Sequence, residues 1–118
     1  MSDQHNRAER VTALLAELAA TFIREEANTS PLITVTRVAA ASDLKHATVH
    51  ISVFPEAQEN DALIFLKRKG GDFRGFVKSR TNLKHIPFFD FAIDYGEKQR
   101  QIIDALAQEE RADGEGRA

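Results

Sequence analysis

The chain has 118 residues, of which 42% are hydrophobic, so it is long enough for one domain with its own core. It contains no cysteine, which excludes disulfide bonds and thiolate metal sites. The net charge is only −2, and the longest strongly apolar run, Ala62–Leu66, is far too short to span a bilayer. The polar N-terminus lacks the apolar core of a signal peptide, so we expect a cytoplasmic protein that does not enter a membrane.

The N-terminal third predicts a helix. Asn6 and Glu9 are spaced as in a capping box, and apolar residues then recur at helical intervals. A helix is therefore predicted from about Arg7 to Glu26, and the turn-forming segment Asn28–Pro31 predicts the break after it.

Two segments with alternating or β-branched residues follow the helix. Leu32–Val38 is rich in β-branched residues, and His46–Phe54 alternates apolar and polar side chains, as is typical of a strand with one buried and one solvated face. Only a short segment, Ala40–Lys45, separates them, so an antiparallel hairpin is predicted.

Two helices are predicted around a pair of glycines. Glu59–Lys69 has helical periodicity, and Asp72 is a candidate cap for a second helix over Phe73–Arg80. A glycine in a helix interior costs roughly 1 kcal/mol relative to alanine. Gly70 and Gly71 therefore predict a kink at which the two helices meet.

The C-terminal part predicts a third strand and a last helix. Phe88–Asp94 alternates, which would place Asp90 and Asp94 on the solvated face of the strand. Glu97–Glu110 is expected to be an amphipathic helix, and residues 111–118 a flexible tail. The apolar stripe of that last helix consists of Ile102, Ile103 and Leu106.

The element order predicts an α+β fold. A single domain over residues 1–110 would contain α-β-β-α-α-β and the C-terminal helix, with a three-stranded sheet covered by helices on one face. This order resembles the type II KH domain, which clamps single-stranded nucleic acid with a GxxG loop between two helices. Gly70, Gly71 and Gly75 do not have the GxxG spacing, so a helix–kink–helix is expected in place of that loop.

One segment is strongly positive. Between Lys67 and Lys84 seven cations and one acid give a net charge of +6, so the rest of the chain must carry −8 to reach the total of −2. Such a bipolar distribution can steer a polyanion onto one face. The candidate RNA-binding residues are Lys67, Arg68, Lys69, Arg74, Lys78, Arg80 and Lys84.

The remaining polar residues do not form a catalytic pattern. His46 and His50 share a strand face but are four residues, roughly 13 Å, apart, which is too far to share one metal ion. Asp90 and Asp94 have the same spacing, and the sequence has no Ser–His–Asp signature or phosphate-binding glycine loop. We therefore predict a protein that is not an enzyme and uses neither a metal nor a cofactor.

Several segments together resemble the ribosome-binding factor A family. The resemblance includes the first helix with "RVTALLAEL", the hairpin Ile33–Phe54, and the lead-in and last strand "LKHIPFFDFAID" (Leu83–Asp94). It continues in the closing segment around Ile103 and Leu106. The family has an Ala-x-Gly pattern at its helix–kink–helix; here Lys69 takes the position of the alanine and Gly71 keeps the glycine.

The resemblance implies a non-enzymatic assembly factor. Such a protein would bind immature rRNA of the small ribosomal subunit and aid its processing and maturation, and we expect a monomer. Two alternatives remain open from the residues alone. One is a protein–protein adaptor that uses the first or last helix, and the other is a KH-like module that binds other RNA.

Overall fold

The computed structural model describes residues 2–27 and 31–116, with side chains for residues 7–27 and 31–108. The predicted element order is confirmed, while residues 28–30 of the predicted break lie outside the described ranges. The helices and strands are α1 (Ser2–Glu26), β1 (Leu32–Ala40), β2 (His46–Phe54), α2 (Glu59–Arg68), α3 (Gly70–Arg80), β3 (Phe88–Ile93) and α4 (Tyr95–Gly116). A 3-10 turn at Glu56–Gln58 leads into α2.

Two helix boundaries differ from the prediction. Because α1 begins at Ser2, Asn6 lies within the helix and cannot be its N-cap, so the predicted capping box is wrong. At the other end, α4 passes its predicted end at Glu110 and continues to Gly116, since no proline interrupts the segment. The flexibility of residues 111–118 stays a prediction.

The three strands form one sheet in the order β1-β2-β3. β1 and β2 are antiparallel, as predicted, and β2 and β3 are parallel. Along β2 the alternating side chains of Ala47, Val49, Ile51 and Val53 are buried, which confirms the predicted inner face. The other face of β2 is partly exposed.

A β-bulge in β1 changes which residues face the core. Val35 pairs with Ile51 and Arg37 with His50, so Thr36 is an extra residue on the β1 side. Because strand side chains alternate between faces, the extra residue moves Arg37 to the outer face.

The helices α1, α2 and α3 cover the inner face of the sheet. Phe73 of α3 lies at the centre of this layer and is fully buried. Its ring centroid is 5.2 Å from that of Phe22 in α1 and 4.6 Å from that of Phe89 in β3. Aromatic pairs of this kind add about 0.5–1.5 kcal/mol each beyond area burial, so α3 is held firmly against the sheet.

The apolar stripe of α4 is not buried by the described residues. Ile102, Ile103 and Leu106 are 59%, 58% and 54% exposed. Near the start of the helix, the ammonium of Lys98 pairs with the carboxylates of Glu56 and Glu59. These ion pairs connect the first turn of α4 to the 3-10 turn and to the first residue of α2. Within the described ranges, no helix is long and apolar enough to cross a membrane.

Candidate nucleic-acid interface

The chain turns between α2 and α3 at a single residue, Lys69. Its backbone has φ −90° and ψ 2°, and its amide donates to the carbonyl of Leu66 over 3.0 Å. The predicted kink therefore lies one residue before Gly70, which is the first residue of α3. Asp72 is already within α3 and makes no cap hydrogen bond, so its predicted role as N-cap is wrong.

The glycines of α3 are not explained by the packing of this chain. None of Gly70, Gly71 and Gly75 has a positive φ. Beyond its chain neighbours and the backbone of α3 itself, a Cβ atom placed on any of them would meet no atom within 4 Å. Because these three positions have no side chain, a ligand could approach the α3 backbone closely beside Arg74 and Lys78, which line the same cavity as the glycines.

This side of α3 borders a concave surface that we call the α3 groove. One cavity of about 530 Å³ lies between the α2–α3 junction and the start of β3. It is lined by Lys67, Gly70, Gly71, Arg74, Gly75, Lys78, Ile86, Phe88 and Phe89. A second cavity of about 440 Å³ shares Arg74, Lys78, Ile86 and Phe88 with the first, so the two are adjacent. It adds Asp43, Leu44, Lys45, His46, Lys84 and His85.

Four of the seven predicted cations line the groove, namely Lys67, Arg74, Lys78 and Lys84. The other three lie elsewhere. Lys69 has its ammonium 3.7 Å from a Glu26 carboxylate oxygen and 3.8 Å from one of Asp72. Arg80 places its guanidinium 4.4 Å from the centroid of the Phe76 ring. Arg68 is exposed and lines neither cavity.

The side of the groove that is formed by the β1–β2 turn was not predicted from the sequence. This side contains Lys45 and His46, and it meets the β3 lead-in because the Phe88 amide donates to the Lys45 carbonyl over 2.9 Å. The contact depends on parallel pairing of β2 with β3, for which the sequence holds no local signal. His85 also lines the groove, and its basic neighbours were the one available hint.

Arg74 has a structural role as well as a charge in the groove. Its guanidinium donates to the carbonyls of Ile86 (3.0 Å) and Pro87 (3.3 Å) and lies 4.6 Å from the centroid of the Phe88 ring. Arg74 therefore ties α3 to the β3 lead-in and gives the groove its shape.

The groove is strongly positive. Lys45 adds a fifth cation to the four predicted ones, and Asp43 is the one acid among the lining residues. The Asp43 carboxylate accepts a hydrogen bond from the Lys45 amide, within the β1–β2 turn. In that turn Leu44 has φ 58°, a left-handed conformation that is uncommon for a residue of its size.

A second polar cluster lies apart from the groove, at the start of α4. Asp94 is buried, so the predicted position on a solvated face is wrong. It accepts a hydrogen bond from the Thr36 hydroxyl at 2.5 Å and another from the Glu97 amide at 2.9 Å, and Arg37 lies 3.4 Å away. The Thr36 hydrogen bond, supported by the Glu97 amide, holds the pKa of the Asp94 carboxyl below its usual range.

His50 borders the same cluster. Its Nδ1 atom is buried and has no hydrogen-bond partner among the described residues. Burial lowers the pKa of His50, and the positive charge of Arg37 lowers it further. Within the described ranges, no group of three or more His, Asp or Glu side chains is arranged to hold a metal ion.

Comparison with known protein families shows to which family the chain belongs. The family model described as ribosome-binding factor A matches residues 7–107. The chain belongs to the ribosome-binding factor A family. The match covers every residue of the α3 groove and the first turns of α4.

Members of the ribosome-binding factor A family match along most of the chain. The protein of Desulfitobacterium hafniense (strain DSM 10664 / DCB-2) is 33% identical over 115 residues, which cover 92% of this chain and 92% of that protein. That of Synechococcus sp. (strain CC9605) is 35% identical over 98 residues, which cover 79% and 70% respectively.

Solved structures of the ribosome-binding factor A family share the fold. A crystal structure of the Thermus thermophilus protein has a TM-score of 0.67 at 23% identity and covers 73% of this chain and 93% of that one. A Thermus thermophilus homology model, fitted into a cryo-EM map of a 30S complex, has a TM-score of 0.61 at 23% identity. It covers 69% of this chain and 88% of that one.

Proposed function

We propose that this protein is a non-enzymatic assembly factor of the small ribosomal subunit. In this proposal it acts in the cytoplasm, binds immature small-subunit rRNA and aids the processing and maturation of that rRNA. The observation that carries the proposal is the α3 groove, in which five cations face one acid in a member of the ribosome-binding factor A family. The Thermus thermophilus relative fitted into a 30S complex supports the small subunit as the partner.

The groove would bind the rRNA backbone through charge and close approach. Exposed Lys45, Lys78 and Lys84 would neutralise phosphates, which positions a protein on RNA without specifying sequence. Lys67 also lines the groove, but its ammonium lies 3.9 Å from an Asp90 carboxylate oxygen, so it would have to exchange that partner for a phosphate. The lack of side chains at Gly71 and Gly75 would let the RNA backbone lie against the helix beside Arg74 and Lys78. Specificity would then come mainly from the shape of the rRNA.

Sedimentation of a cell extract through a sucrose gradient tests this function. The protein should migrate with free small subunits and should be absent from translating ribosomes. A charge-reversed double variant, Lys78→Glu with Lys84→Glu, should no longer sediment with small subunits. Arg68→Glu is the matched control because Arg68 is exposed but outside the groove. Equal behaviour of both variants would show that the groove is not the contact surface.

Two positions in the basic segment are unsuitable for this test. Lys69 pairs with Glu26, and Arg74 bonds the carbonyls of the β3 lead-in, so charge reversal at either position would also disturb the fold. Lys78 and Lys84 are exposed, and neither side chain has an ion pair with another described residue.

The protein–protein adaptor is a second candidate because α4 exposes its apolar stripe. If the unmodified protein does not sediment with small subunits and a stoichiometric protein partner co-purifies with it, the adaptor function is favoured. Replacement of Ile103 by serine should then abolish the co-purification of that partner. Cross-linking in cells and mapping of the bound RNA separates rRNA from other RNA.

A further inference from the structure

Phe88 is an exposed aromatic residue in a positively charged environment. It is the first residue of β3, which is an edge strand, and 62% of it is exposed. It projects from the outer face of the sheet opposite His46, and it lines both cavities of the α3 groove. Its ring is therefore accessible beside both cavities.

Two side chains that can take part in stacking lie close to the Phe88 ring. The guanidinium of Arg74 lies 4.6 Å from the ring centroid, and the His46 ring lies 6.0 Å away at an interplanar angle of 34°. Arginine planes and aromatic rings are the side chains on which unpaired RNA bases stack. Lys45, Lys78 and Lys84 line the same cavity and supply positive charge for the phosphates that flank such a base.

The cavity also has the right size and openness for a base. Its volume of about 440 Å³ is within the range of small-ligand sites, and apolar Leu44 and Ile86 lie beside the polar groups. A duplex could not stack a base on Phe88, because the face of each base in an RNA helix is covered by its stacked neighbours.

An exposed phenylalanine could also be a solvated edge residue with no ligand, and Phe54 provides the comparison. Phe54 is 74% exposed at the opposite end of β2, and it lines a concavity with Glu56 and Glu59. The cation of that concavity, Lys98, is paired with both glutamates. Phe54 is therefore exposed like Phe88, but it lacks neighbours such as Lys45, Lys78 and Lys84, which have no ion pair with another described residue.

We propose that Phe88 is the stacking platform for one unpaired rRNA base, held between the α3 face and the β1–β2 turn. The inference rests on the proposed function and adds to it the chemical form of the ligand, a single-stranded or extruded nucleotide. Stacking accepts every base type, so the platform selects rRNA that is locally unpaired, and sequence has little influence.

Equilibrium binding to purified small subunits tests the platform with three variants. Phe88→Leu keeps an apolar side chain but removes the ring, and it should weaken binding by about fivefold or more, since base stacking on aromatic side chains accounts for roughly 1–3 kcal/mol per base. Phe88→Tyr keeps the ring and should bind like the unmodified protein. Phe54→Leu makes the same change about 26 Å away along β2 and should have no effect.

The outcomes distinguish this inference from the proposed function. If Phe88→Leu binds as tightly as Phe54→Leu, while Lys78→Glu with Lys84→Glu weakens binding, the platform is wrong and the groove function stands. If the unmodified protein does not bind small subunits, the proposed function itself fails. Ultraviolet cross-linking of the complex should also join Phe88 to a nucleotide, and an adduct at another residue, with none at Phe88, would overturn the platform.

Discussion

Asp94 connects three parts of the fold through one carboxylate. It accepts hydrogen bonds from Thr36 in the β1 bulge and from the amide of Glu97 in the first turn of α4, beside Arg37. A carboxylate at this position also interacts favourably with the partial positive charge of the helix N-terminus. Sequence alternation placed Asp94 on the solvated face, because the pattern contains no sign of the bulge that brings Thr36 towards it.

Loss of the Asp94 charge should destabilise the protein. In Asp94→Asn the amide nitrogen cannot accept the Thr36 hydrogen bond, so we expect a loss of about 1–3 kcal/mol in the free energy of unfolding. Asp90→Asn is the matched control, since Asp90 is exposed in the same strand and should change stability by less than about 0.5 kcal/mol. Urea unfolding of both variants measures the difference, and equal midpoints would contradict this role of Asp94.

The cluster also predicts how stability depends on pH. The fold lowers the pKa of His50, so the unfolded chain binds a proton first, and stability should fall as pH drops below the unfolded value of about 6.5. The fold also lowers the pKa of Asp94, so its contribution is present above the unfolded value of about 3.9 and is lost as pH falls through the folded value. Urea unfolding between pH 7 and pH 3 should show both losses. His50→Gln should remove the first one, and an unchanged profile in that variant would refute the assignment.

At the scale of elements, local sequence patterns determined most of the fold. The bounds of β2 were predicted without error, and α2 was predicted to within one residue, because each has a strong period of its own. The groove could be predicted only in part. Its α3 wall follows from helical spacing, but the opposite wall at Lys45 and His46 depends on β2–β3 pairing between distant segments.

The apolar stripe of α4 shows what periodicity alone cannot predict. Periodicity correctly gave a helix with Ile102, Ile103 and Leu106 on one side, but an apolar stripe does not identify what covers it. Among the described residues nothing buries these three side chains, so the amphipathic pattern of α4 does not serve the core.

The glycines of α3 should lower the stability of the helix and, at the same time, leave its backbone accessible to RNA. Gly75 lies in the helix interior, and a Cβ there would meet no atom within 4 Å. Gly75→Ala should therefore raise the free energy of unfolding by up to about 1 kcal/mol. The added methyl group projects into the α3 groove, so binding to small subunits should weaken at the same time. Thermal unfolding and equilibrium binding measure the two effects, and a variant that gains stability without losing affinity would show that RNA does not approach the helix at this point.

At the scale of the whole molecule, the charge distribution determines how the protein can meet a polyanion. The net charge is −2, so the molecule as a whole is not attracted to RNA, and only the segment from Lys67 to Lys84 is strongly positive. The fold concentrates four of those cations and Lys45 in one groove, while Lys69 is paired with acids elsewhere. Attraction is therefore local, and it orients the protein with α3 towards the RNA.

This arrangement predicts a steep salt dependence in spite of the negative net charge. If about four phosphates are neutralised, the logarithm of the affinity for small subunits should fall with the logarithm of salt concentration with a slope near −3. Replacement of Lys78 and Lys84 by glutamine should reduce the magnitude of that slope by about 1 for each lysine. Arg68→Gln should leave it unchanged because Arg68 is outside the groove. A flat response in the unmodified protein, or equal slopes in all three proteins, would show that the groove lysines do not contact phosphate.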